Sequence, residues 1–309
     1  MRRPLASCLR GLASIIAAAS LSSTALAAVP ASDHVVVVIM ENKSFAEVRT
    51  QPYTASLMAS GAWFAGATAI THPSQPNYIA LWSGSTQGVT NDVCPAPGSP
   101  FGTANLGQAV EAAGKSWRAY SENLATAGAT DCSFDGDAST GLYTRKHDPW
   151  TYFSNLDHSN ERPYTDLAAD LAAGQLPNLA FVIPNNCHNT HNSGSNPACS
   201  IANGDAWLAA NLPPILAALG PADFLVLTWD EDDNSAGNNI LTLLAGPAVL
   251  PGTVSTQFCT HYAVVRTIAD ALGVPAPGLA ASTFPLNGVW NAVTPAVPAS
   301  WGRLKMLYR

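Results

Sequence analysis

Residues 35–39 are five β-branched side chains in succession, Val35-Val36-Val37-Val38-Ile39, and Met40 extends the run before it stops at Glu41-Asn42. A run with no polar side chain fits a strand buried on both faces, and therefore a parallel sheet covered on each side. Two further apolar runs end the same way. Residues 178–183 lead into Asn185-Asn186-Cys187-His188-Asn189-Thr190-His191, and residues 223–229 lead into Asp230-Glu231-Asp232-Asp233-Asn234. Shorter strands are expected at 116–120 and 239–245. Helical patterns lie between them at 53–60, 76–82, 105–113, 164–173, 201–219 and 261–272, with Gly61, Gly114 and Gly174 as stops and a bend expected at Pro213-Pro214. Strands alternating with helices predict an α/β fold, a mainly parallel central sheet with helices on both faces. No repeat or linker interrupts it. One domain is expected over 28–290, followed by a C-terminal tail at 291–309.

The first 27 residues read as an export signal rather than as fold. Arg2, Arg3 and Arg10 give a positive start, residues 11–21 are apolar but too short to span a bilayer, and Ala25-Leu26-Ala27 supplies the small-x-small cleavage pattern. A secreted or periplasmic protein without a stable membrane anchor is expected. Loss of those three arginines takes the formal charge from −7 to −10. That balance disfavours nucleic acid as a partner, and it means that a small anionic substrate needs a local cation. In an oxidising compartment the cysteines should pair, and proximity suggests Cys187–Cys199 and Cys94–Cys132, with Cys259 left free. No Cys-x-x-Cys spacing supports a thiolate metal site.

In open α/β sheets, ligands sit beyond the carboxyl ends of the strands. The three polar clusters are therefore expected to meet. Each has a blander reading: an acidic turn at 230–234, a surface loop at 185–191, or a calcium loop that fails because Ser235 stands where the glycine belongs. Taken together, Glu41, Asp230 and Glu231 bring hard anionic oxygens that repel one another unless a cation neutralises them. Oxygen ligands suit Mg, Ca, Mn or Zn, and the metal's identity stays open. His191 and His261 could bind a second metal or carry protons.

The ordered stretches HVVVVIMENKSF (34–45), HPSQPNYIALWSGSTQGVTND (72–92), KHDPWTYF (146–153), PNLAFVIPNNCHNTHN (177–192), FLVLTWDEDDN (224–234), NNILTLLAGP (238–247) and THYAVVRTIAD (260–270) resemble the bacterial and fungal phosphoesterase family of acid phosphatases and phospholipases C. That family is remotely related to the alkaline phosphatase superfamily. The resemblance implies an alkaline phosphatase-like fold, with Ser74 as nucleophile just before a helix. It implies Glu41, Asn42, Ser74, Asp230 and Glu231 around a divalent metal, and Asn91 on a phosphate oxygen. It also places His147, His191 and His261 among the active-site histidines, and Asn77 lies in the same Ser-Gln-Pro-Asn stretch. Asn91, Asn77 and His261 are the expected substrate-binding residues. The superfamily's Asp-His is Asp230-Glu231 here, which points to one metal with histidines moving protons.

The expected reaction is hydrolysis of a small phosphate ester through a phosphoserine, with His191 or His147 protonating the leaving alcohol. Phosphomonoesters are favoured, which makes the protein an acid phosphatase. A phosphodiesterase of the phospholipase C type shares the same nucleophile. A non-catalytic secreted metal-binding module would leave Ser74-Gln75-Pro76-Asn77 unexplained, and a serine at that boundary could also serve only as a helix cap. Oligomeric state and natural substrate are not legible in the sequence.

Overall fold

All six residues of β1 (Val35–Met40) have no solvent exposure, because the strand lies in the middle of the sheet with a neighbour on each side. The computed structural model describes residues 28–134, 141–191 and 199–291; the expected leader and the tail beyond Asn291 lie outside the described residues. After β1 come α1 (Phe45–Val48), α2 (Pro52–Ser60), β2 (Ala62–Ala67), α3 (Ser74–Ser83), α4 (Leu106–Ala112) and β3 (Trp117–Ser121). A small hairpin, β4 (Ser133–Phe134) with β5 (Tyr143–Thr144), leads to three short 3-10 turns at Arg145–His147, Pro149–Tyr152 and His158–Asn160. Then follow β6 (Glu161–Pro163), α5 (Thr165–Ala172), β7 (Leu179–Ile183), α6 (Ile201–Ala217), β8 (Phe224–Trp229), β9 (Thr242–Ala245), β10 (Thr253–Cys259) and α7 (His261–Leu272).

Eight strands form one sheet in the order β10-β2-β9-β8-β1-β7-β3-β6. Every pairing is parallel except those of β9, which runs antiparallel to both β2 and β8. The expected mainly parallel α/β sheet is therefore the observed one. Registry of Val35 with Leu179 and Phe224 aligns the central strands, so Glu41, Asp230 and the 185–191 loop emerge at the same sheet edge. Helices α3, α4 and α7 pack together, while α2 packs on α6. These two groups cover the faces of the sheet.

Some details depart from the sequence reading. Helix α6, with Pro213 and Pro214 inside it, ends at Ala217 instead of residue 219. The strand expected from Asn239 starts only at Thr242, since Asn239 itself makes an isolated bridge to Thr68. Strands β2, β6 and β10 and the β4–β5 hairpin were not anticipated. Both expected disulfides are present, Cys94–Cys132 and Cys187–Cys199, and Cys259 is a buried free thiol.

Helix α3 is buried along all ten residues. Its anchor is Trp82, whose ring lies 5.0 Å from Trp117, 5.6 Å from Trp150 and 5.4 Å from Phe181. Deleting an aromatic side chain of this kind costs about 3–5 kcal/mol. The anchor fixes the helix on the sheet, and with it the position of Ser74 at the opposite end.

Candidate active site

Ser74 is the first residue of α3, and the N-cap is Pro73, so the serine hydroxyl has no capping role. Its Oγ lies 2.6 Å from Glu41 Oε1 and 3.1 Å from Glu231 Oε1. Glu41 leaves the end of β1, while Asp230 and Glu231 leave the end of β8. Ligand atoms of these three buried carboxyls fall within 4.8 Å of one another, and Asp230 Oδ2 is buried with no hydrogen-bond partner among the described residues. Asp230 Oδ1 accepts from the Asn42 N–H at 3.0 Å, and Asn42 takes the left-handed backbone (φ 56°) that turns the chain there. An orphaned carboxylate oxygen beside two more carboxyls and a hydroxyl suits a hard divalent cation. The residues present fit that ion.

Electrostatics support the same conclusion. Burial pushes Asp230 well above the usual carboxylate range, and the Glu41 and Glu231 charges push it further. Burial and the Glu41 charge raise Glu231 to about 8. Glu41 goes the other way: burial alone would raise it, but His147, Lys146 and His191 hold it well below its ordinary value. Without a cation, the three groups therefore share fewer than three negative charges.

The third polar cluster arrives as expected. Asn189 C=O accepts from the Glu41 N–H at 2.7 Å, and Thr190 Oγ1 donates to Glu41 C=O at 2.8 Å. His191 Nε2 lies 4.0 Å from Glu41 Oε1, and burial lowers its pKa below 6.5. His147 is more enclosed, with Nε2 3.1 Å from Glu41 Oε2, Nδ1 3.1 Å from Thr144 Oγ1, and its ring stacked on Tyr78. His261 opens α7, with Nε2 2.7 Å from the Asp230 carbonyl oxygen, and burial lowers it to about 4. Its Nε2–H donates to that carbonyl.

Two expected substrate-binding residues face the protein. Asn77 is fully buried; its Oδ1 accepts from Ile70 and Thr71 N–H, and its Nδ2 donates to Thr71 C=O and reaches Glu231 Oε2 at 3.4 Å. His261 holds the Asp230 backbone. Asn91 is exposed, its Oδ1 accepting from Val93 N–H, while its neighbour Asp92 accepts from Gln75 N–H at 2.9 Å. The N-terminus of α3 is thus less open to an anion than the sequence suggests, because Asp92 takes the Gln75 N–H and Pro76 has none.

Comparison with known proteins decides the family. The Phosphoesterase family profile matches residues 47–275. This chain belongs to the Phosphoesterase family. It is 37% identical to the phosphatidylinositol-3-phosphatase of Mycobacterium tuberculosis, over 94% of this chain and 97% of that protein. It is 27% identical to an acid phosphatase of Aspergillus fumigatus and 28% identical to a phosphate-repressible acid phosphatase of Penicillium chrysogenum, covering 77% and 80% of this chain but 54% and 61% of theirs. Among solved structures, an alkaline phosphatase superfamily protein from Vibrio parahaemolyticus matches with a TM-score of 0.57 at 11% identity, covering 81% of this chain and 69% of that one. Murine ectonucleotide pyrophosphatase/phosphodiesterase 5 matches with a TM-score of 0.53 at 12% identity, covering 79% and 96%. The phosphoesterase is a hydrolase of phosphoric esters on the alkaline phosphatase-like fold.

Three residues around the phosphoesterase site escaped the sequence reading. Tyr78 donates its hydroxyl to Glu41 Oε2 at 2.9 Å. His72 sits 2.9 Å from Glu231 Oε2 and 3.2 Å from Asp232 Oδ1. Lys146 places Nζ 2.8 Å from Asp92 Oδ2 and 4.0 Å from Glu41 Oε1; burial alone would lower its pKa, but the Glu41 and Asp92 carboxylates outweigh this and raise it. Lys146 and His72 open the stretches 146–153 and 72–92 quoted above, but carried no assigned role there. Tyr78 was legible only as one more apolar face of α3.

Proposed function

We propose that this phosphoesterase is an exported, metal-dependent acid phosphatase that cleaves phosphomonoesters through a phosphoserine on Ser74. The observation carrying the reading is the Ser74 hydroxyl, held between Glu41 and Glu231 at the start of a fully buried helix. A divalent cation (Ca, Mg, Mn or Zn) held by Glu41, Asp230 and Glu231, with Asn42 and Ser74 beside it, would supply the Lewis acidity that makes the hydroxyl a nucleophile near neutral pH.

The chain's own groups do the rest. Ser74 Oγ attacks phosphorus in line, and its proton passes to the adjacent carboxylates. His191 is the preferred donor to the leaving alcohol: it is about one-third exposed, so it can exchange protons with water, whereas the His147 side chain is 3% exposed. Asn91, at the exposed lip of its loop, is assigned to a phosphate oxygen. Asn77 and His261 are assigned to positioning, the first tying residues 70–73 to Glu231 and the second fixing Asp230. Water then opens the phosphoserine.

The named activities of the relatives, a phosphatidylinositol-3-phosphatase and acid phosphatases, all release phosphate from monoesters and support that class over diesters. The two disulfides support export, and no helix among the described residues is long and apolar enough to cross a membrane. A crystal grown with divalent metal and soaked in orthovanadate tests the reading. Five-coordinate vanadium bonded to Ser74 Oγ is expected. Vanadate bound elsewhere, with Ser74 untouched, would sink it.

A further inference from the structure

Lys146 has no part in the chemistry just described, yet its ammonium and the Ser74 hydroxyl flank a single oxygen, Glu41 Oε1, at 4.0 and 2.6 Å. It lies in the short 3-10 turn Arg145–His147 with a side chain only 17% exposed. One further contact holds it: Asp92 Oδ2 at 2.8 Å. The other oxygen of Asp92 accepts from the Gln75 N–H, in the residue after the nucleophile. A single carboxylate thus removes an anion-binding N–H from the helix end and at the same time tethers a cation beside the nucleophile. A flexible lysine becomes a fixed charge. Burying an ammonium this far is unfavourable unless it meets anions, and one tethering carboxylate leaves donors to spare on an ammonium that has three.

We propose that Lys146 is the specificity-determining residue that reads the second negative charge of a phosphomonoester. This rests on the assignment of Ser74 as nucleophile. The three carboxyls approach Ser74 from the ends of β1 and β8, whereas Lys146 approaches from the 145–147 turn. A phosphoryl group presented to Ser74 then has one non-bridging oxygen directed at the ammonium. In a monoester that oxygen is anionic. In a diester oriented the same way, an alkylated oxygen offers Lys146 neither charge nor a good acceptor, and the desolvated ammonium gains nothing from binding.

The test compares wild type, Lys146→Met and Lys146→Arg in the disulfide-bonded, metal-replete protein. Substrates are p-nitrophenyl phosphate and bis-p-nitrophenyl phosphate. Lys146→Met should lose about 10²–10³-fold in kcat/KM on the monoester, the range for removing one transition-state donor, with less than about fivefold loss on the diester. Lys146→Arg should recover to within about tenfold of wild type on the monoester. Parallel losses on both esters, or no loss on either, would overturn the assignment. Calorimetry with inorganic phosphate in mildly alkaline buffer reads the same charge without turnover. Binding to Lys146→Met should be about tenfold weaker or more, and equal Kd values would also overturn it. The nucleophile fails by a different route: a Ser74→Ala protein with normal turnover removes Ser74 while leaving the phosphate-binding comparison readable.

Discussion

Replacing Ser74 with alanine separates catalysis from stability, because the structure predicts effects of very different size on the two. A hydroxyl donates one hydrogen bond at a time, so the substitution removes one donor shared between Glu41 and Glu231. Glu41 keeps the Tyr78 hydroxyl at 2.9 Å, and Glu231 keeps His72 at 2.9 Å. The loss is one hydrogen bond to a charged acceptor, about 1–3 kcal/mol, partly made up by those remaining donors. In a chain of this size that lowers Tm by roughly 2–8 °C. Loss of a covalent nucleophile lowers kcat by about 10⁴–10⁶-fold. The assay pairs p-nitrophenol release at saturating metal with a thermal melt and with trapping of phosphorylated protein at low pH. Alanine protein retaining more than about 1% of wild-type turnover would refute the reasoning, since it lies far outside that range. A helix cap would have behaved differently, with a loss of about 1 kcal/mol and an unchanged rate.

Other predictions concern the carboxyl cluster, the proton donor and the packing beneath them. Burial and the neighbouring carboxylates raise both Asp230 and Glu231 in the metal-free fold; the Glu231 contribution is fully present below about 4.5 and is lost as pH rises through about 8, and the Asp230 contribution is lost in the same direction. Added divalent cation should therefore raise Tm more at pH 8 than at pH 5, and chelation should stop turnover; equal increments at both pH values would contradict the cluster as the metal site. Burial depresses His191, so kcat should fall as pH rises through a value below 6.5, and His191→Asn should cost about 10²–10⁴-fold with alkyl phosphates but less with p-nitrophenyl phosphate, whose leaving group needs little protonation. A Cβ on Gly204 of α6 would lie 2.3 Å from Thr190 Cγ2 and 3.0 Å from the His188 carbonyl oxygen. Gly204→Ala should destabilise by about 1–3 kcal/mol despite the gain in helix propensity, and should also lower turnover by displacing Thr190 from Glu41; an unchanged melt would show that the loop yields freely.

How legible was this molecule in its sequence? The central strands β1, β7 and β8 announce themselves because burial on both faces forbids polar residues until the strand ends, so each boundary is also a site boundary. Strand β2, Ala-Trp-Phe-Ala-Gly-Ala, has only Trp63 and Phe64 as strand formers among three alanines and a glycine, and its place is set by β9 and β10. Strand β10 alternates at the edge of the sheet with Val254 and Phe258 exposed, a pattern easily lost among turns. Within the site, Glu41, Asp230 and Glu231 are legible because they follow directly on β1 and β8, and His191 because it closes the polar run after β7. His72 and Lys146 follow no buried apolar run, and only the folded chain brings them to Glu231 and Glu41. The expected open helix end at Ser74 was incomplete because nothing in the sequence reveals that Asp92 reaches Gln75.

The Cys187–Cys199 bond ties the chain that leaves β7 to a point two residues before the start of α6, and His191 lies inside the loop it closes. The sheet strands lie outside that loop, while Asn189 and Thr190 within it bond the Glu41 backbone. A preparation made in a reducing cytosol should therefore keep its sheet while the segment carrying His191, the proposed acid, is unfastened. Thiol state belongs beside buffer and metal among the conditions stated for any rate measured on this enzyme. Low turnover from reduced material says nothing about the quality of the catalyst.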